Sequence, residues 1–195
     1  MTVSDTGGER IVVACLGDSI TEGSPGWQHE TGGDPESTWM HWAGRADPRL
    51  ELRNFGIHGE TTAEIAARLD EAVAGADVLV VQGGINDVYH GLDVEPAAGN
   101  LRAMVRRGKQ LGLRVALANV LPWNNGRPGD DGKIRRLNEL IGEIGRDQDV
   151  PVLDFHGTLA DPDDPARMRG EWTVEGNHPN VAGHRRLGEL AFRLP

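Results

Sequence analysis

Ile11-Val12-Val13-Ala14-Cys15-Leu16-Gly17-Asp18-Ser19-Ile20-Thr21 is the stretch that decides the fold. Its first six residues are apolar and rich in β-branched side chains, as in a short strand buried on both faces. The strand stops at Gly-Asp-Ser, which sets a hydroxyl at the carboxyl end of a sheet. In open α/β folds that edge is where ligands bind. A serine hydroxyl is a weak nucleophile until a base activates it. The chain offers such a base near its other end, in Glu175-Gly176-Asn177-His178-Pro179. Asn54-Phe55-Gly56 and Gly84-Ile85-Asn86-Asp87 supply groups able to stabilise an oxyanion.

Working outward, five apolar runs alternate with helical patterns. Strands are expected over residues 10–16, 50–55, 78–82, 113–121 and 151–155. Helical periodicity is clearest over 62–73, 97–111, 133–146 and 181–192, with a shorter helix over 38–46. Strict alternation of this kind describes an α/β protein, with right-handed βαβ units around a parallel sheet and helices on both faces. One domain is expected across residues 1–195, with residues 1–9 as its disordered or flexible N-terminus. The segments after the strands (17–37, 56–61, 83–95, 122–132, 156–180) are long and carry Gly, Asn, His and Trp. The connections back into the strands are brief. Long loops gathered at one edge of a rigid sheet are a usual way to build an active site.

Composition excludes several classes. The 195 residues carry 30 acidic and 20 basic side chains, a formal net charge of −10. Binding to nucleic acid needs a basic face that displaces counterions, so no nucleic-acid partner is expected. Adhesion to anionic membrane surfaces is disfavoured for the same reason. No run approaches the roughly 20 apolar residues that span a bilayer. Residues 1–10 are polar with acidic side chains, and the apolar run behind them is shorter than a typical secretory core, so the expected compartment is the cytoplasm. The single cysteine, Cys15, has no partner for an internal disulfide and reads as a small buried apolar residue.

Acyl transfer needs a hydroxyl, a base within hydrogen-bond reach and a group that orients the base. Ser19 and His178 both precede helices on the same sheet edge. Glu175, three residues before His178, is placed to hold the other ring nitrogen; it reads equally as one more surface acid. Donors must also point at the developing oxyanion. Candidates are the Ser19 N–H, the Gly56 N–H, where the absent side chain permits close approach, and the Asn86 amide. Asx-turn and tight-turn roles explain Asn86 and Gly56 one at a time, but not their joint placement after successive strands. Asp18 and Asp87 read as structural acids that bond loop backbone. No metal is expected: His29 with Glu30, His41, His58, His90 and His156 stand apart, without His-Glu-x-x-His or Cys-rich spacing. His184, beside Arg185 and Arg186, is explained by a solvated helix face.

The five Trp outnumber the three Phe and one Tyr. Trp27, Trp123 and Trp172 fall in loops on the expected active edge, with Trp123 a candidate substrate-binding residue. Trp39 and Trp42, at helical spacing, read as core.

Together, Gly17-Asp18-Ser19, Asn54 with Gly56, Gly84-Ile85-Asn86-Asp87 and His178-Pro179 resemble the four motif blocks of the SGNH (GDSL-type) hydrolases, in that family's order and across nearly the whole chain. The resemblance implies a flavodoxin-like three-layer sandwich and esterase, thioesterase, lysophospholipase or carbohydrate-deacetylase activity without cofactor. It implies Ser19 as nucleophile, His178 as base, and Ser19 N–H, Gly56 N–H and the Asn86 side chain as oxyanion hole. One position departs from the pattern, since the family usually carries Asp where this chain has Glu175. Either Glu175 is the third member of a triad or the site works as a Ser-His dyad with a carbonyl oxygen orienting the ring. The expected activity is hydrolysis of a small-molecule ester with a small acyl group. The alternatives are an acyl thioesterase or lysophospholipase, and a catalytically silent binding module of the same fold.

Overall fold

A computed structural model describes residues 9–24 and 33–195. The segment 1–8 and residues 25–32, and with them Trp27, His29, Glu30 and nearly all of the expected flexible segment, lie outside the described residues. In chain order the elements are β1 (Ile11–Gly17), α1 (Ser19–Glu22), α2 (Trp39–Ala46), β2 (Leu50–Gly56), α3 (Thr62–Ala67), α4 (Leu69–Ala72) and β3 (Val78–Val81). There follow α5 (Ile85–Tyr89), α6 (Val94–Gln110), β4 (Arg114–Ala118), α7 (Asp130–Gln148), β5 (Val152–Leu153), α8 (Phe155–Leu159) and α9 (Val181–Arg186), which runs into a π-helical turn at Leu187–Ala191.

The five strands form one parallel sheet in the order β2-β1-β3-β4-β5. The central strands alternate their side chains between two cores, as the two-residue period of a strand requires. Ala14, Leu16, Leu79, Val81, Val115 and Leu117 face a core built with α3, α4, α6 and α7. Val13, Cys15, Val78, Val80, Ala116 and Ala118 face the other, built with α2, α8 and the C-terminal turn. Two helical layers thus cover one sheet. The chain runs from β1 outward to β2, then crosses back to β3, so a switch point opens at the carboxyl ends of β1 and β3. Ser19 leaves the first of these strands and Asn86 follows the second.

Several expected boundaries move, each for a tertiary reason. The helix expected over 62–73 breaks at Arg68, whose guanidinium reaches back to the Gly17 carbonyl (3.0 Å) and to Glu60 (2.8 Å). The strand expected over 113–121 ends at Ala118, because the Val120 N–H and C=O pair with the Asn138 side chain instead of a strand. The strand over 151–155 shrinks to two residues, since Asp154 accepts the Gly157 N–H and starts α8. Trp39 is fully buried between the rings of Phe155 and Phe192, each 5.6 Å away, and Trp42 is buried with its indole donating to the Glu36 carbonyl.

Candidate active site

Asp18 folds the chain into position at the end of β1. Its Oδ1 accepts the Ile20 N–H at 3.0 Å, which caps α1 and leaves Ser19 as the first helical residue. Gln82, at the end of β3, accepts from the Thr21 hydroxyl (2.9 Å) and the Asp18 N–H (3.3 Å). The Ser19 side chain thus stands half-buried on a turn held from below. Asp18 itself is fully buried, its Oδ2 has no partner among the described residues, and burial raises its pKa to about 6.

His178 comes from a short loop closed on itself. The Val174 N–H (2.9 Å) and the Thr173 hydroxyl (2.8 Å) both donate to the His178 carbonyl, and Thr173 pairs with Pro179. This loop carries the ring to the nucleophile: Ser19 Oγ lies 2.9 Å from His178 Nε2. The other nitrogen, Nδ1, lies 2.5 Å from Glu175 Oε1. A hydroxyl, an imidazole and a carboxylate therefore stand in line, although the first two are 159 residues apart in the chain. The carboxylate and the ring are partly open to water, with side chains 44% and 31% exposed.

The expected oxyanion donors separate. Asn86 lies in the first turn of α5 behind Gly84, whose φ of +117° suits glycine and whose Cα abuts Leu137. One Asn86 amide hydrogen goes to the Glu60 carbonyl at 2.9 Å, and the other stays available. Gly56 is a correction. Its N–H is donated to its neighbour Asn54 Oδ1 at 2.9 Å, and its Cα lies hard against the backbone of Thr21 and Glu22. Asn54 also donates to the Glu22 carbonyl at 2.9 Å, so Asn54 and Gly56 together fasten α1 to β2. The residue with a free amide is Gly59, which the motif reading passed over. It lies between His58, whose N–H bonds Glu22 Oε2 at 3.0 Å, and Glu60, whose carbonyl takes the Asn86 amide. Among the described residues neither the Ser19 nor the Gly59 N–H has a partner.

Asp87 accepts the Thr62 N–H (2.9 Å) and hydroxyl (2.8 Å), joining α5 to α3 as a structural acid would. Trp123 is half-buried against the core, its ring 6.0 Å from that of Tyr89. It lines a cavity of about 410 Å³ with Asn124, Arg127, Asp164 and Arg167. Asn124 takes the neighbouring loop in hand, its N–H donating to the Gly176 carbonyl at 2.7 Å. Trp172, expected in a loop, sits half-buried in a 3₁₀ turn with the Arg186 guanidinium 4.0 Å from its ring centre. His184, expected on a solvated face, is fully buried. Cys15 is buried too, and burial pushes its thiol pKa up. Among the described residues no group of three or more His, Cys, Asp or Glu is placed to hold a metal ion, and no helix is long and apolar enough to cross a membrane.

Residues 15–186 match the family described as GDSL-like lipase/acylhydrolase. No curated protein matches the chain in sequence. Among solved structures, a protein assigned to the lipolytic G-D-S-L family of Desulfitobacterium hafniense DCB-2 superposes with a TM-score of 0.78 at 24% identity, covering 92% of this chain and 97% of that one. A variant of an acetyl-xylooligosaccharide esterase from Geobacillus stearothermophilus gives 0.73 at 20% identity, over 93% and 92% of the two chains. The acetyl xylan esterase AlAXEase gives 0.72 at 21%, over 92% and 96%. At such identities the likeness is one of fold.

Proposed function

The chain belongs to the GDSL-like lipase/acylhydrolase family, and from that premise we propose that it is a serine hydrolase that cleaves carboxylic esters of small acyl groups through a Ser19 acyl-enzyme. The observation that carries the proposal is the aligned trio: Ser19 Oγ at 2.9 Å from His178 Nε2, and His178 Nδ1 at 2.5 Å from Glu175. With Nδ1–H donated to the carboxylate, Nε2 presents its lone pair to the hydroxyl, which is the tautomer a general base needs. His178 takes the proton as Oγ attacks the ester carbonyl. The imidazolium that forms is stabilised by Glu175 and then protonates the leaving alcohol. Water, deprotonated by the same nitrogen, releases the acid and restores Ser19.

The negative charge of the tetrahedral intermediate falls to donors not already spent within the protein. These are the Ser19 N–H, the second amide hydrogen of Asn86 and, in place of Gly56, the N–H of Gly59. The acetyl esterases among the structural neighbours make an acetyl ester of a sugar the first natural substrate to try. A second reading, a thioesterase or lysophospholipase, is favoured by exposed apolar side chains on the active edge: Ile57, Tyr89 and Val174 are 36%, 54% and 52% exposed. A series of p-nitrophenyl esters of rising acyl length separates the two, and the small-acyl reading fails if long chains turn over faster than acetate. Ser19→Ala is expected to lower p-nitrophenyl acetate turnover by at least about 10³-fold with the melting temperature unchanged. Wild-type protein that neither hydrolyses esters nor takes up a fluorophosphonate label would identify a silent binding module instead.

A further inference from the structure

The buried imidazole of His184, on α9, takes no part in the chemistry above, yet it is wired to it. His184 Nε2 lies 3.1 Å from Ser24 Oγ, and Ser24 Oγ lies 2.7 Å from the carbonyl oxygen of Pro179, the residue after the base. A carbonyl only accepts, so the single hydroxyl proton of Ser24 goes to Pro179. Ser24 Oγ must then accept from His184, which fixes the proton of that ring on Nε2. The remaining nitrogen, Nδ1, is buried without a partner among the described residues, and burial lowers the pKa of the ring to about 3, so the ring is neutral. An imidazole in this state destabilises the fold relative to an apolar ring of similar size. Its donated bond is what the molecule gains in exchange.

That bond closes a second attachment between two segments. Residues 19–24 and 178–179 meet once at Ser19 Oγ and His178 Nε2, and again at Ser24 Oγ and Pro179 O. The first contact is re-made in every turnover as the proton moves. The second is not reactive and persists. The His178 side chain is 31% exposed on a loop, and the Ser24 bond limits the drift of that whole segment relative to Ser19. We infer that His184 is a positioning residue, which rests on the serine-hydrolase reading: through Ser24 it anchors the His178–Pro179 segment to the segment carrying the nucleophile and so sets the distance between hydroxyl and base.

The test uses the full chain with p-nitrophenyl acetate. His184→Phe keeps a buried ring of similar volume and removes the donor, whereas His184→Gln returns an N–H near the position of Nε2. Ser24→Ala breaks the same chain of bonds outside the core. Expected for His184→Phe and Ser24→Ala is a fall in kcat of about tenfold to a hundredfold with KM within twofold, the size that a small misplacement of a catalytic group produces. The Gln variant should recover most of it, and the double variant should be no slower than Ser24→Ala alone. Wild-type kcat in folded His184→Phe, or effects that multiply in the double variant, would overturn the inference. If His184→Phe does not fold, Ser24→Ala decides in its place, and an unchanged kcat there overturns it equally. If the wild-type protein hydrolyses nothing, the hydrolase reading has failed separately. The ring-nitrogen NMR signals of His178 in Ser24→Ala then decide: a shifted Nε2 signal supports the anchor, and an unchanged one sinks it.

Discussion

The hydroxyl and the imidazole arrive at the same place by different means. Ser19 stands on a turn enclosed by the core: Asp18 and Thr21 are fully buried, Gln82 bonds both, and Gly56 lies against the backbone of α1. His178 stands on a loop at the water's edge, where Glu175 is 44% exposed and the geometry is set by hydrogen bonds, some within residues 173–180 and others from Asn124 to Gly176 and from Ser24 to Pro179. Damage to the packing that holds the nucleophile's turn should therefore register as lost stability together with lost activity, whereas removal of the Ser19 hydroxyl alone costs activity only. Damage on the base side should register as lost activity alone. Substitutions that blur this division would break the comparison.

After the loss of the nucleophile itself, the largest effect is expected at Glu175. Glu175→Gln retains an acceptor for Nδ1–H but removes the charge that stabilises the imidazolium, and the amide can also present its N–H and force the wrong tautomer. Turnover of p-nitrophenyl acetate should fall by about 10²-fold or more, with a melting temperature within about 2 °C of wild type, because the carboxylate is half in water and supports no core. Kinetics and thermal melts on the same sample measure both quantities. Turnover within threefold of wild type would mean that the ring is oriented without Glu175, as in a dyad.

The next effect belongs to the other side. A Cβ on Gly56 would lie 2.0 Å from the Glu22 nitrogen and 2.6 Å from the Thr21 carbonyl carbon, both backbone atoms of α1. Gly56→Ala must push α1 away from β2, at a cost of about 3 kcal/mol in urea unfolding, and must carry Ser19 off its mark. Gly59→Ala is the control. A Cβ there meets nothing within 4 Å, and only the φ of +78° opposes it, at about 1 kcal/mol. Equal destabilisation by the two substitutions would show that Gly56 is not wedged as described.

The contrast between the two sides also explains what could be read from the sequence. The sheet was legible because each central strand is a short apolar run closed by Gly, Asp or Pro, and the trio because Ser19, Glu175 and His178 each follow such a run at the same edge. Which glycine offers its amide was not legible. The N–H of Gly56 is lost to the Asn54 side chain two residues away, and only the rotamer of Asn54 reveals that. The burial of His184 was hidden for another reason. His184-Arg185-Arg186 reads as a wet helical face, but α9 is six residues long and wedged among α2, α8 and the Trp172 turn, so its short polar run spans both an outer and an inner face. The breaks at Arg68 and Val120 depend on side-chain bonds to distant backbone, which hydrophobic periodicity does not record.

The smallest effect is also the most selective, because each side buries an ionisable group whose pKa burial shifts, and the two pull in opposite directions. Asp18, beside the nucleophile, has its pKa raised from 3.8 to about 6, so the folded protein binds its proton more readily than the unfolded chain. Its contribution to stability is present at low pH and disappears as pH rises through about 6. His184, behind the base, has its pKa lowered from 6.5 to about 3, so the unfolded chain binds the proton more readily. Its contribution is complete above pH 6.5 and is lost as pH falls. Between pH 5 and 6 the two slopes nearly cancel, and wild-type stability from urea titrations should be almost flat. Asp18→Asn leaves only the histidine, so stability should rise with pH across that window by about 1 kcal/mol per pH unit. His184→Phe leaves only the aspartate, so stability should fall with rising pH by a similar amount. Two variants that tilt the same way would show that these buried groups are not the opposed pair that their surroundings make them.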